Sequence, residues 1–363
     1  MNKVPVIIFL LLYLGINTIQ AQSRDRLRIM TYNVENLFDT LHAVGKSDTE
    51  FTPQGEHHWN AHHYWRKLVR IGSVIAAAGG SSPVDIVALA EVENDSVLYD
   101  LTKRTKLHKI GYEFIITHAN DARGINVALM YLPYRFRPFV KDTLRIAPPA
   151  GHKPRQTRDV LHVAGQVTSG DTLDMIVCHL PSQRGGRPAQ HYRLSVAKAM
   201  RHLVDSLAAM RLHPQIVITG DFNTSYPSAV FDEGLHVCLP HTASAHVANT
   251  NQLYLLTHNM KGRNDVAGTY KYQGEWSQLD HFIVNAPLLH ATRPDALHIE
   301  QSSCKLADFP FCSNPTRKET ARIPSAPISA TFIRADLATT CPYYSIYITN
   351  NIVFKLHTIS QHS

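Results

Sequence analysis

The chain alternates short apolar runs with polar punctuation over most of its length. Leu27-Arg28-Ile29-Met30-Thr31-Tyr32-Asn33 switches between apolar and polar positions as a half-buried strand does. Over residues 58–78, Trp59, Trp65, Leu68, Ile71, Val74 and Ile75 recur at helical spacing, and Gly79-Gly80-Ser81-Ser82-Pro83 ends that helix. Asp85-Ile86-Val87-Ala88-Leu89-Ala90 is an apolar strand that delivers Glu91 at its end. Two strand pairs are predicted next: 112–118 with 125–132, and 160–167 with 172–180 around Ser169-Gly170. Residues 188–210 predict a second helix. A buried strand, Gln215-Ile216-Val217-Ile218-Thr219, follows, and later strands fall at 268–272 and 278–284. Strands outnumber helices, and the helices are long enough to cover sheet faces. The pattern predicts an α/β fold of two packed, mostly antiparallel or mixed sheets with helices outside. No linker divides residues 27–285, so one domain is expected there.

The polar residues that close these runs carry the candidate chemistry. Gly220-Asp221-Phe222-Asn223 places a carboxylate and a carboxamide two residues apart, so both point into the same space beyond the strand. Asn33, Glu91 and His179 also end strands, and Asp280 lies in the strand of residues 278–284. Taken singly, a strand-end Asn or Asp is a turn former, a lone His an ordinary hydrogen-bonding residue, and Glu91 a salt-bridge partner. Their recurrence at successive strand ends favours one shared site. Phosphodiester hydrolysis needs an oriented water, charge neutralisation at phosphorus and a stabilised leaving oxygen. Glu91 is a natural ligand for a hard cation such as Mg²⁺, and Asn33 suits the same ion or a phosphate oxygen. Asp221 suits water positioning, Asn223 the reacting phosphate, and His179 donation to a phosphoryl oxygen.

Composition narrows the setting. The chain has 363 residues, 44% hydrophobic and 18% charged, with no internal repeat or long low-complexity tract. Lys3, the apolar run of residues 4–16 and the small residue Ala21 read as a signal peptide over residues 1–21. An apolar run that short falls below the ~20 residues of a spanning helix, so export to the periplasm or the extracellular space is expected, with no stable membrane span. Removing the peptide takes one lysine and no acid, so the formal charge of +7 falls by one. A basic surface suits polyanions such as nucleic acid or anionic lipid. Five cysteines are an odd count without metal-type spacing; in an exported chain, Cys304 and Cys312 are the expected disulfide pair.

Six ordered segments carry a specific resemblance. They are Thr31-Tyr32-Asn33-Val34-Glu35-Asn36-Leu37-Phe38-Asp39, Leu89-Ala90-Glu91-Val92-Glu93-Asn94, Arg123-Gly124-Ile125-Asn126-Val127-Ala128-Leu129, His179-Leu180-Pro181-Ser182-Gln183-Arg184-Gly185-Gly186, Gly220-Asp221-Phe222-Asn223-Thr224 and Leu279-Asp280-His281. Together they resemble the endonuclease/exonuclease/phosphatase family over residues 27–285. The resemblance implies a DNase I-like, four-layered α/β/β/α sandwich over residues 22–335, with 336–363 as an atypical tail. It implies Mg²⁺- or Mn²⁺-dependent hydrolysis of phosphoester bonds, with nucleic acid as the first-choice substrate and phospholipid or a small phosphoester as alternatives. Asn33 and Glu91 fall in the metal site by this resemblance. His179, Asp221 and Asn223 fall to catalysis, and Asp280 matches the carboxylate that orients a catalytic histidine. Arg123, Asn126 and Arg184 are candidates for holding substrate anions, a role that suits arginine's planar fork.

One motif is missing. The family ends on a Ser-Asp-His triplet whose Asp helps bind metal and whose His is the acid/base partner of the residue matched by Asp280. The chain has no such triplet; the region reads Ile323-Pro324-Ser325-Ala326-Pro327-Ile328-Ser329-Ala330, with 327–333 as a candidate final strand. After Phe309 the only acids are Glu319 and Asp336. General acid–base help is typically worth about 10²–10⁴-fold in rate, so the loss matters. His281 adjoins Asp280, but neighbouring strand residues face opposite sides. Asp308, His357 and His362 are acids and imidazoles that the sequence does not place. A degenerate enzyme, a rewired one and a reading-frame change all fit. The competing readings are a non-catalytic polyanion-binding protein on the same sandwich and a generic secreted scaffold.

Overall fold

The computed structural model describes residues 26–148, 157–240, 250–262, 266–290, 296–299, 303–307 and 309, with the backbone alone of 344–350. The first long elements are β1 (Arg26–Leu37), α1 (Ala61–Gly79), β2 (Ile86–Val92), β3 (Glu113–Ile116) and β4 (Asn126–Tyr131). β5 (Phe136–Leu144), β6 (Val160–Val167), β7 (Thr172–His179), α2 (Gly186–Met210) and β8 (Ile216–Asp221) follow. The later strands are short: β9 (Val237–Cys238), β10 (Leu253–Leu255), β11 (Tyr270–Tyr272), β12 (Glu275–Ser277), β13 (Asp280–Asn285), β14 (Leu297–Ile299), β15 (Lys305–Leu306) and β16 (Tyr344–Asn350).

Hydrophobic patterning explains the layers. α1 turns Leu68, Ile71, Val74 and Ile75 onto Met30, Val87, Leu89 and Met130 of one sheet. α2 turns Val196, Met200, Val204 and Leu207 onto Ile176, Ile218 and Ile283 of the other. The opposite faces meet each other: Ile29, Ala88 and Leu129 pack with Val163, Met175, Val217 and Phe282. Each fully buried aliphatic side chain stabilises the stack by about 1.5–3 kcal/mol. The order is helix, sheet, sheet, helix, the four-layered sandwich expected from the sequence. Because both faces of β2 and β8 are covered, their sequences are largely apolar rather than alternating up to Glu91 and Asp221. α1 begins where the Asn60 side chain accepts from the His63 amide and ends at Gly80, whose φ is 62°.

Sheet order fixes where chemistry can gather. The first sheet runs β14-β16-β1-β2-β4-β3, with β15 also on β16, and the second β5-β6-β7-β8-β13-β10-β9. β1 and β2 are parallel in one, β7 and β8 in the other. The carboxyl ends of these four strands open on one edge of the sandwich, where ligands bind in open α/β sheets. β13 runs antiparallel to β8 and begins at that edge, with Asp280 opposite Asp221. Gly220 is needed there: its φ is 134°, and a Cβ would lie 2.0 Å from the carbonyl oxygen of Cys178. Gly220→Ala is expected to cost about 3 kcal/mol or more, read as a drop in the urea midpoint; an unchanged midpoint would contradict this packing.

The structure departs from the sequence reading in several places. Tyr344–Asn350, assigned to the tail, is a strand antiparallel to β1, with Tyr344 opposite Thr31. Its two tyrosines and its β-branched Ile346, Ile348 and Thr349 suit a sheet. The 327–333 run, Cys312, Asp308, His357, His362 and the signal peptide all lie outside the described residues. Cys304 is a buried free thiol among the described residues, its sulfur 3.7 Å from that of Met260, and its expected partner Cys312 lies outside them. The 268–272 strand is one arm of a β11–β12 hairpin set apart from both sheets.

Candidate active site

Backbone irregularity at the strand ends aims the polar groups. After Asn33 the β1 chain turns through Glu35 and Asn36, both at positive φ (48° and 54°). The Asn33 Oδ1 accepts from the Glu35 amide at 2.9 Å, and Glu91 Oε2 accepts from the Asn36 amide at 2.9 Å. The Lys67 ammonium, from α1, donates to the Glu35 carbonyl and, at 3.2 Å, to that of Asn36. Glu91 itself has a φ of 64°, at the shift in β2–β4 register between Ala90 and Val92. A non-glycine residue held there costs on the order of 1–3 kcal/mol, and such strain gathers at functional sites. In β8, Asp221 Oδ1 accepts from the amide of Asn223 at 2.7 Å, and Asn223 has a φ of 49°.

Asn33, Glu91, His179 and Asp221 converge. Asn33 Nδ2 donates to Glu91 Oε1 at 3.1 Å and to Asp221 Oδ2 at 2.9 Å, bridging the two sheets. His179 Nε2 lies 3.8 Å from Glu91 Oε1 and 3.7 Å from Asp221 Oδ2. One ligand atom from each of Glu91, His179 and Asp221 falls within 4.8 Å of the others. Two carboxylates of this spacing, with Glu35 and Asp280 close behind, leave an acidic centre that suits a hard divalent cation. Glu91 and Asp221 would hold it. Asn33 turns its amide nitrogen, rather than its oxygen, toward those carboxylates, so in this arrangement it bridges the ligands.

Burial and like charge set the protonation of the centre. Burial, opposed by hydrogen bonds from Asn223 and Asn33, pushes Asp221 up to about 6. Asp280 is raised well above the usual carboxylate range, by burial and by the Asp221 charge opposite it. Glu35 is pushed up to about 7, first by burial, then by Glu91 and Asp221 against the pull of Lys67. His179 is driven well below the usual imidazole range by burial and by the Arg158 and Arg123 charges, so its ring is neutral. Arg158 lies against that ring, donating from Nε to Nδ1 at 3.1 Å, with its Nη2 2.5 Å from Nε2.

The remaining residues divide between the site and its supports. Arg123 Nη2 reaches Glu91 Oε2 at 3.5 Å. Asn223 donates from Nδ2 to the Leu180 carbonyl at 2.9 Å, tying the β7 and β8 ends together. Arg184 is exposed in the turn Gln183–Gly185 ahead of α2, near enough to Tyr270 to act on its phenol. Asn126 is spent within the protein: Nδ2 donates to the Glu93 carbonyl, and Oδ1 accepts from Ala119 and Thr117. That amide braces the loop carrying Arg123. His281 faces away from the site, between Thr257 Oγ1 at 2.9 Å and the Thr224 carbonyl at 3.0 Å, as strand alternation requires.

Arg158 was not singled out in the sequence. The signal was available: in the predicted 160–167/172–180 hairpin, the residues just before 160 must lie beside His179. Arg158→Met is expected to raise the His179 pKa, because a like charge is removed from beside the ring. Histidine C–H shifts followed by NMR across pH would show it; an unmoved titration would contradict the pairing.

Two helix-covered sheets with acids, amides and an imidazole gathered at their strand ends define a DNase I-like α/β sandwich. The chain belongs to the endonuclease/exonuclease/phosphatase family, whose model matches residues 28–327. Among solved structures, it is similar to TDP2 of D. rerio complexed with single-strand DNA product, at 14% identity and a TM-score of 0.50, over 89% of this chain and 99% of that one. An endonuclease/exonuclease/phosphatase of Bacteroides vulgatus is similar at 13% identity and 0.51, over 90% and 99%. A mannosyl-6-phosphatase of Bacteroides thetaiotaomicron follows at 14% and 0.51, over 89% and 98%. At such identities the likeness is one of fold. The search of curated proteins found no match.

Proposed function

We propose that the protein is an exported, divalent-metal-dependent hydrolase of phosphoester bonds, acting as an endonuclease or phosphodiesterase. The observation that carries this reading is the convergence of Glu91, His179 and Asp221 at one sandwich edge, bridged by Asn33. Mg²⁺ or Mn²⁺ held by Glu91 and Asp221 would neutralise charge on a phosphoryl oxygen. Asp221, raised to about 6, is ionised at neutral pH and is the group placed to orient and deprotonate an attacking water. The neutral His179 is the group proposed to donate to a phosphoryl oxygen, and Arg123 adds a cation at the rim. Asn223 holds the strand ends at the spacing the reaction needs.

The substrate class follows from which phosphoester is turned over. Structural neighbours include TDP2 complexed with single-strand DNA product and a mannosyl-6-phosphatase, so both diesters and sugar monoesters belong in the assay. Incubation of the mature chain with Mn²⁺ and, in turn, DNA, RNA, phospholipid and mannose 6-phosphate is expected to give cleavage of nucleic acid. Cleavage of the monoester alone would contradict the diester assignment. Salt-sensitive binding of DNA without turnover of any of the four would favour the polyanion-binding reading instead. Export is supported by residues 1–21 and is tested by N-terminal sequencing of protein recovered outside the cytoplasm.

A further inference from the structure

We propose that the β11–β12 hairpin is a nucleobase platform, on which Tyr270 and Tyr272 stack an unpaired base next to the scissile phosphate. Single-stranded nucleic acid is then the substrate class. The inference rests on the phosphodiester reading above. Its first support is where the hairpin is anchored. Thr269 Oγ1, buried just ahead of β11, accepts from the amides of Leu279 at 2.9 Å and Asp280 at 3.1 Å. The Thr269 amide in turn donates to the Ser277 carbonyl at 3.0 Å. Gly268 packs so tightly there that a Cβ would lie 2.5 Å from that carbonyl oxygen. The hairpin therefore springs from the strand end where Asp280 faces Asp221. Burial raises the Tyr270 phenol, and the charges of Arg184, Glu35 and Asp221 all reach it.

The pairing register sorts the hairpin's side chains. Tyr270 lies opposite Ser277, Lys271 opposite Trp276 and Tyr272 opposite Glu275. Alternation puts both tyrosines on one face and Lys271 with Trp276 on the other, where Lys271 Nζ sits 5.1 Å from the indole centroid. The tyrosine rings are near parallel, 9° apart with centroids separated by 6.3 Å, and form a strip running outward from the catalytic edge. Tyr270 is half-buried and Tyr272 is 45% exposed. Neither belongs to any of the three apolar cores among the described residues. Two flat rings without a packing task therefore face the space a substrate enters. Arg184 adds a cation near Tyr270, and an aromatic face beside a backbone-tracking charge is how single strands are held. In a duplex each base is covered by its stacked neighbours, so only an unstacked base can reach the strip.

Fluorescence anisotropy in EDTA, which stops turnover, tests the platform by itself. The mature chain is expected to bind oligo(dT) about tenfold more tightly than a strand of equal length carrying abasic sites throughout. That strand keeps every phosphate and sugar ring, so the difference reports the bases alone. Tyr272→Ala is expected to remove most of the difference and Tyr272→Phe to retain it. Tyr134, also exposed but at the opposite edge of the sandwich, is the control, and Tyr134→Ala should retain it too. Equal affinity for the two strands, or a preference undiminished by Tyr272→Ala, would overturn the proposal. Annealing oligo(dT) to oligo(dA) hides the base faces, so Tyr272→Ala should matter less there; an equal loss on duplex and single strand would overturn the single-strand assignment. With Mn²⁺ added, the same preference is expected in kcat/KM for oligo(dT) cleavage. Base-dependent binding with no Mn²⁺-dependent cleavage of oligo(dT) or bis(p-nitrophenyl) phosphate would keep the platform and overturn the hydrolase reading instead.

Discussion

Asp221→Asn should abolish hydrolysis and, in the metal-free protein at pH 8, raise stability. The loss follows from position: Asp221 faces His179, Asn33 and the cation site, and a water-activating carboxylate is worth about 10²–10⁴-fold in rate. The gain follows from linkage. Asp221 has a folded pKa of about 6 against an ordinary 3.8, chiefly through burial. Between those values the folded protein binds more protons than the unfolded chain, so stability falls as pH rises through that window and stays low above it. The full penalty is about 3 kcal/mol at pH 8 and vanishes below pH 4. An amide removes the charge but gives up one acceptor for Asn33, worth about 1 kcal/mol. A net gain of about 2 kcal/mol is expected at pH 8 and none at pH 4, read from urea melts in EDTA. A uniform loss at both values would contradict the electrostatic account.

Divalent cations should stabilise the protein strongly at pH 8 and weakly at pH 5. At a hundredfold excess over Kd, binding to the folded state alone adds about 2.7 kcal/mol. The carboxylates must be ionised to hold the ion, and the raised values of Asp221, about 6, and Glu35, about 7, make the centre protonate as pH falls. The Mn²⁺-induced rise in Tm is therefore expected to shrink between pH 8 and pH 5 and to disappear in Glu91→Ala. EDTA should remove all turnover. A rise in Tm that is the same at both pH values, or that survives Glu91→Ala, would place the cation elsewhere.

The sequence made the sandwich legible because each inner strand is an apolar run ending on one polar group. Ile86–Val92 and Ile216–Asp221 show this most clearly: chain direction alone puts Glu91 and Asp221 at an edge. Periodicity could not show how the side chains turn beyond that edge. The bulges at Glu35, Asn36 and Glu91 depend on positive φ values, which leave no periodic trace. Arg158 and Lys67 reach the centre from a strand start and a helix, and only the packed sheets bring them there. Asn126 shows the converse, a motif residue whose amide is used up inside the protein. The last strand was the least legible, since Tyr344–Asn350 follows a segment without the family's pattern.

Asp280 joins these strands of argument. It lies opposite Asp221, buried, with one oxygen unpaired among the described residues. The rest of the centre is assembled on rigid strand ends, so cation binding and water activation can proceed there while protonation of the leaving oxygen is slow. Turnover of an activated diester, whose leaving group needs no proton, isolates the part of the site that this chain retains. The deciding measurement is the Mn²⁺-dependent hydrolysis rate of bis(p-nitrophenyl) phosphate by the mature chain and by its Glu91→Ala, Asp221→Ala double variant. Metal-dependent turnover by the first, absent from the second, is the predicted result; equal rates in the two proteins would contradict a hydrolytic centre at these strand ends.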